Sequence, residues 1–158
     1  MRLLGEEFTR FGKLRAGLKE KESILVATNG CFDIIHSGHV IFLQAAKRLG
    51  DKLLVLLNDD SSISELKGAG RPVNSFEDRR TVLEGLSCVD YVLPLRSNAP
   101  DLEYSKVLPD ILVKGGDYKV NEIIGGAEVL EDGGRVVTVP YVEGRSTSNM
   151  IERIRSSK

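Results

Sequence analysis

Thr28-Asn29-Gly30-Cys31-Phe32-Asp33-Ile34-Ile35-His36-Ser37-Gly38-His39 lies between an apolar run, Ile24 to Ala27, and a segment from Val40 to Leu49 with helical spacing. That order reads as strand, tight turn and helix. The chain has only two histidines, and both are here, three residues apart. With a helix beginning near Gly38, His36 lies just before the first turn and His39 at its opening. Free backbone N–H groups and the helix dipole favour an anion at that place. Gly38 carries no Cβ, so a phosphate can come close to the backbone.

Two plainer readings compete with an anion site. A histidine is often only a satisfied core or surface residue. A His-x-x-His pair is also half of a zinc site, but it would want further Cys, His or carboxylate ligands. There is no third histidine, and Cys31 and Cys88 are far apart in sequence, so no protein-held metal is expected.

Working outward, Leu53 to Leu57 is a continuous apolar run, as expected of a parallel strand covered on both faces. Asn58-Asp59-Asp60-Ser61 then offers caps for a short helix reaching Leu66. Lys67-Gly68-Ala69-Gly70-Arg71-Pro72 contains G-x-G but lacks a third glycine and joins no strand to a helix, so it is not a dinucleotide fingerprint. It reads either as a surface loop or as a mobile loop that brings Lys67, with Arg71, over a phosphate. Ser75-Phe76-Glu77-Asp78 has the spacing of a capping box, opening a helix with Val82, Leu83 and Leu86 on one face. Arg79 heads that inward stripe, and an inward cation needs an anion. A ligand is one partner for it; an intrachain acidic residue is the other.

Further along, Asp90 to Pro94, Ile111 to Val113 and Val136 to Val139 read as strands, with short helices from Asp101 and around Ala127 to Leu130. Lys114-Gly115-Gly116-Asp117-Tyr118 follows a strand directly, and its paired glycines would let a ligand reach the backbone. Gly50 is placed to terminate the helix that opens at the histidines. Residues 146 to 148 lead into a closing helix with Ile151 and Ile154 facing inward. At the other end, Phe8, Phe11, Leu14 and Leu18 fall at helical spacing. They predict an amphipathic helix within residues 1–22, appended to the domain and packed on it or against a second subunit of a homodimer.

About five strands alternating with helices imply an α/β fold, a Rossmann-like doubly wound parallel sheet in a single domain spanning 1–158. Ligands bind such sheets beyond the carboxyl ends of the strands, at the switch in strand order. The segments after residues 28, 57, 113 and 140 should therefore line one edge.

Composition bounds the rest. A net charge of −1 leaves no footprint for nucleic acid, and two cysteines without paired spacing fit a reducing compartment. The N-terminal residues MRLLGEEF carry charges where a signal peptide would be apolar, and the longest apolar run falls far short of a membrane span. A cytoplasmic protein is expected.

The quoted stretch resembles the His-x-Gly-His signature of the nucleotidyltransferase superfamily, and specifically the adenylyltransferases acting on heptose 1-phosphate. The likeness continues in order through Leu66-Lys67-Gly68, Arg71-Pro72-Val73-Asn74, Glu77-Asp78-Arg79, Lys114 to Tyr118 and Glu143-Gly144-Arg145-Ser146-Thr147. It implies transfer of AMP from ATP to a sugar 1-phosphate, with His36, His39 and Lys67 catalytic and magnesium arriving on the ATP. Gly30, Cys31, Phe32, Gly38, Asp117, Arg145, Ser146, Thr147 and Ser148 would contact the nucleotide. Cys31 would do so as a small buried thiol. Asp33, Arg79 and Lys114 would face the acceptor. Glycerol-phosphate cytidylyltransferases carry R-T-E-G-I-S-T where this chain has Tyr141 to Thr147. Loss of the leading arginine argues against glycerol phosphate and leaves flavin adenylation open. A catalytically silent nucleotide-binding regulator is the reading from another class. Heptose enzymes of this kind are often fused to a sugar kinase, so the resemblance implies a separate kinase supplying the acceptor.

Overall fold

A computed structural model describes residues 2–96, 106–116, 118, 123–140 and 147–157, with side chains from residue 6 onward. Among these, α1 (Arg2–Glu20), β1 (Leu25–Gly30), α2 (Ser37–Lys47), β2 (Lys52–Asn58), α3 (Asp60–Lys67) and α4 (Phe76–Glu84) come first. They are followed by β3 (Tyr91–Leu95), β4 (Ile111–Gly115), α5 (Gly126–Glu131), β5 (Arg135–Val139) and α6 (Thr147–Ser156). The helix expected from Asp101 falls on residues outside those described.

The five strands pair in parallel in the order β3-β2-β1-β4-β5. Strand order reverses at β1, where Leu25 to Gly30 pair with Lys52 to Leu57 on one side and Val26 and Ala27 with Ile111 and Leu112 on the other. Alternation along β2 explains its unbroken apolar sequence. Leu54 and Leu56 join Phe11, Leu18 and Val129 in one core. Leu53, Val55 and Leu57 join Phe32, Leu43, Ala46 and Leu83 in the other. Each fully buried leucine contributes about 1.5–3 kcal/mol relative to exposure, so both faces need their helices.

Helix α1 covers its own sheet. Phe11 meets Tyr91 edge-on with ring centroids 5.5 Å apart. Arg15 donates from Nε to the Leu108 carbonyl (3.1 Å) and from Nη2 to Asp110 Oδ1 (2.7 Å), while Asp110 Oδ2 accepts from the Leu25 N–H (2.7 Å). The helix is thus packed on the sheet, and its Arg2–Glu20 span falls within the expected residues 1–22.

Two local expectations are corrected. Gly50 does not end α2 in a left-handed conformation; that helix is capped at Arg48. A Cβ on Gly50 would lie 2.7 Å from Ile24 and 2.8 Å from Val26 side chains, so glycine is there for the close approach of β1. In α6 no residue is buried: of the two isoleucines expected inward, Ile151 is half-buried and Ile154 is 67% exposed. Among the described residues, no helix is long and apolar enough to cross a membrane.

Candidate active site

β1 ends at Gly30, and the chain turns sharply at Phe32, whose φ of +44° is rare for a residue with a side chain. The turn lays the Phe32 ring across Gly30, where a Cβ would come within 2.9 Å of it. Gly30 is therefore required by packing beneath the site. Phe32 also sets one wall for His39, at 5.3 Å between ring centroids.

Helix α2 opens at Ser37, with His36 as its extended N-cap. The His36 N–H donates to His39 Nδ1 at 3.3 Å, and the two imidazoles stack with centroids 3.9 Å apart and planes 25° apart. Burial pushes His39 down to about 4, and the neighbouring His36 and Lys67 add to the shift. His39 is consequently neutral at pH 7. Because its Nδ1 accepts from His36, its own proton belongs on Nε2, as a donor at the mouth of the helix. Lys67 is the last residue of α3, not part of the loop, and its side chain is exposed. Conformational freedom lies instead in the 68–70 segment, with Gly68 at φ +86° and Gly70 at φ +84°.

Asp33 and Arg79, expected to face the acceptor, are both given to the protein. Asp33 Oδ2 accepts from Arg71 Nε (2.8 Å) and both its oxygens accept from the Val73 N–H (2.9 Å); Oδ1 also accepts from the Asn74 N–H (2.9 Å). Asn74 Nδ2 returns a bond to the Asp33 carbonyl at 2.7 Å. Burial pushes the Asp33 carboxyl up, but the Asn74 and Val73 N–H groups and Arg71 outweigh it, leaving the pKa below its ordinary value. Arg79 is 1% exposed and donates to the Asn74 carbonyl (3.1 Å), the Cys31 carbonyl (2.6 Å) and Asp60 Oδ1 (2.7 Å). Arg79 does point inward from α4, as the stripe implies. Its anion is Asp60, the intrachain alternative. Together these bonds strap residues 71–74 alongside the turn that carries the histidines.

On the other side of the switch point, Lys114 is the penultimate residue of β4. Burial pushes its ammonium down to about 8, partly opposed by the nearby Cys31 thiol. No described carboxylate pairs with it. Cys31 is half-buried rather than sealed in the core. Thr147, in the first turn of α6, donates from its hydroxyl to the Ile34 carbonyl at 3.3 Å. That bond sets the start of α6 beside the start of α2. Gly38 is half-buried in the first turn of α2, and Ser148 is exposed in α6. Asp117, Arg145 and Ser146 lie outside the described residues.

The arrangement gathers a neutral imidazole donor, two lysines and two helix openings at one edge of the sheet. These groups can bind polyphosphate and stabilise charge that develops on it. Neither Asp33 nor Asp60 was legible as a partner, because pairs 38 and 19 residues apart leave no periodic signal.

The cytidylyltransferase-like family model matches residues 27–153. The chain is 53% identical to the bifunctional protein HldE of Shewanella amazonensis over 132 residues, 84% of this chain and 28% of that protein. It is 50% identical to the same-named protein of Coxiella burnetii over 130 residues, 82% of this chain and 27% of the other. The chain thus spans little more than a quarter of the length of these relatives. Among solved structures, a lipopolysaccharide core biosynthesis protein from Thermoplasma volcanium is similar at a TM-score of 0.64 and 28% identity, covering 78% of this chain and 99% of that one. Pantothenate synthetase from Thermus thermophilus shares the fold at a TM-score of 0.55 and 18% identity, covering 84% of this chain and 60% of that one.

Proposed function

The chain belongs to the cytidylyltransferase-like family and is a nucleotidyltransferase; on that premise we propose that it transfers AMP from ATP to a sugar 1-phosphate, D-glycero-D-manno-heptose 1-phosphate. The observation that carries this reading is the pair of stacked histidines at the opening of α2, with His39 held neutral. An acceptor phosphate oxygen attacks the α-phosphorus of ATP, the bond to the bridging oxygen breaks, and pyrophosphate leaves with the electron pair. The His39 Nε2–H, the His36 ring and the α2 N–H groups meet the charge that builds on the phosphates. Lys67 completes the site when the glycines behind it let α3's end approach. Magnesium would come with the nucleotide and would supply charge neutralisation at its phosphates, with no residue of this chain assigned to hold it.

Lys114 supports a phosphorylated acceptor. Lys114 is half-buried with no carboxylate partner among the described residues, and a desolvated ammonium is costly unless an anion meets it. Asp117, Arg145 and Ser146 complete the nucleotide contacts in this proposal, with Cys31, Phe32, Thr147 and Ser148. Asp33 and Arg79 act instead by fixing the 71–74 strap. The family resemblance and the relatives' HldE designation favour heptose over FMN or glycerol 3-phosphate, and a sugar kinase activity would supply the acceptor in the cytoplasm.

The test is a pyrophosphate-release screen of ATP and CTP against heptose 1-phosphates, hexose 1-phosphates, glycerol 3-phosphate and FMN. Turnover is expected with ATP and the heptose phosphate; turnover only with FMN, or only with CTP and glycerol 3-phosphate, replaces the acceptor. No pyrophosphate release with any pair favours the silent regulator.

The charges of the two lysines set two further expected outcomes. Lys67→Ala should lower kcat more than it weakens ATP binding measured by calorimetry, since the lysine is exposed until closure. An anion stabilises charged Lys114, so acceptor binding requires the ammonium that exists below about pH 8. The acceptor KM should therefore rise as the pH passes 8, and Lys114→Met should abolish that rise.

A further inference from the structure

Arg71 is tied down in a way that leaves one guanidinium nitrogen, Nη2, without a partner among the described residues. Its Nε donates to Asp33 Oδ2 at 2.8 Å, and its carbonyl accepts from the Ser64 hydroxyl at 2.7 Å. Backbone and side chain are both fixed, at the end of a glycine-containing segment that otherwise permits movement. Asp33 can take no more of the arginine, because its oxygens also accept from the Val73 and Asn74 N–H groups. Nη2 is out of contact with solvent and has no acceptor among the described residues. A buried cationic donor without an acceptor is unfavourable, and the Nε bond to Asp33 would by itself suffice to pin the loop. The excess donor lies on the strap that Asn74 and Arg79 bind to the turn of Cys31 to Asp33, three residues before His36.

We propose that Arg71, oriented by Asp33, is a phosphate ligand: with the Asp33 bond kept, its Nη2 meets a substrate phosphate oxygen when movement of the 68–70 segment uncovers it. This rests on the phosphoryl-handling reading above and deepens it: of the two readings the sequence left for this loop, it takes the one that puts Arg71 on a phosphate, and names Asp33 as what aims it. Planar, multidentate donation suits arginine here, since its rigid fork gives Nε to Asp33 and leaves the Nη edge aimed at a phosphate. The phosphate comes either from the acceptor or from the triphosphate.

The experiment compares the full chain with Arg71→Ala and Arg71→Lys. Steady-state pyrophosphate release gives KM for ATP and for the heptose 1-phosphate, and calorimetry gives Kd for ATP and for inorganic phosphate. Loss of a charge-assisted bond should raise the KM of one substrate by about 10- to 100-fold, and added methylguanidinium should recover part of the loss in Arg71→Ala. A rise confined to the sugar phosphate identifies the acceptor's phosphate; a rise confined to ATP identifies the nucleotide's. Both KM values within twofold of wild type, or a loss that tracks Tm alone and resists methylguanidinium, would overturn the proposal. Should Arg71→Ala not fold, Arg71→Lys decides by the same KM and Kd comparison. Were the wild type inactive with heptose 1-phosphate, the acceptor assignment would fail on its own, and the ATP and inorganic phosphate affinities would still judge Arg71.

Discussion

Replacing His39 by alanine is expected to lower turnover by about 10²-fold or more, the scale on which loss of one preorganised donor acts in charge-stabilising sites. The same loss is expected for His36→Ala. His39 is desolvated and held neutral by burial, His36 and Lys67, so its Nε2–H is a preorganised donor with no proton to lose at pH 7. Its depressed pKa also has a sign that can be checked. The unfolded imidazole titrates near 6.5 and the folded one near 4, so the folded chain is destabilised by acid as the pH falls from 6.5 towards 4. His39→Ala should remove that part of the acid sensitivity while leaving the neutral-pH Tm close to wild type. A triphosphate should raise the pKa, so ATP binding near pH 5 should take up protons, seen as a dependence of calorimetric heat on buffer ionisation. Normal turnover in both purified variants would remove the pair from the mechanism.

Asp33→Ala should be the most destabilising single change near the site, by about 3–5 kcal/mol, because it strands a buried guanidinium and two backbone donors together. The carboxylate's side chain is 1% exposed and it is the acceptor for Arg71, Val73 and Asn74. Urea denaturation followed by circular dichroism measures the loss. Acid should act on the same contact. With the folded pKa below the unfolded value of about 3.9, the contribution is complete above that pH and disappears as the pH falls through the depressed value. A loss below about 1 kcal/mol would mean that the strap does not hold the loop.

Much of this architecture was legible because it depends on local pattern. The apolar runs at Leu25 and Leu53 gave parallel strands buried on both faces, and the residues after β1 and β4 fell at the switch point. The His36–His39 spacing placed both rings at one helix opening, since residues three apart share a face. Less legible were features decided by tertiary contact. An inward arginine on α4 could be read from periodicity, but whether it met substrate or Asp60 could not. Asp33 is set at the acceptor by resemblance, and no local pattern around it signals the N–H groups of Val73 and Asn74 that it accepts from. Gly50 looked like a helix terminator, whereas the side chains of Ile24 and Val26 are what exclude a Cβ. Ile154 had the spacing of a core residue, yet a face is buried only when another element covers it.

The central claim is that the bond broken in ATP is the one at the α-phosphorus, with the stacked histidines and the α2 opening receiving the charge. It is tested most directly by incubating the purified chain and the heptose 1-phosphate with ATP labelled either at the α- or at the γ-phosphorus, and tracing where each label goes. Nucleotidyl transfer predicts α-label in the sugar nucleotide and γ-label in pyrophosphate. γ-Label in the sugar product, or α-label recovered only as ADP, would contradict it.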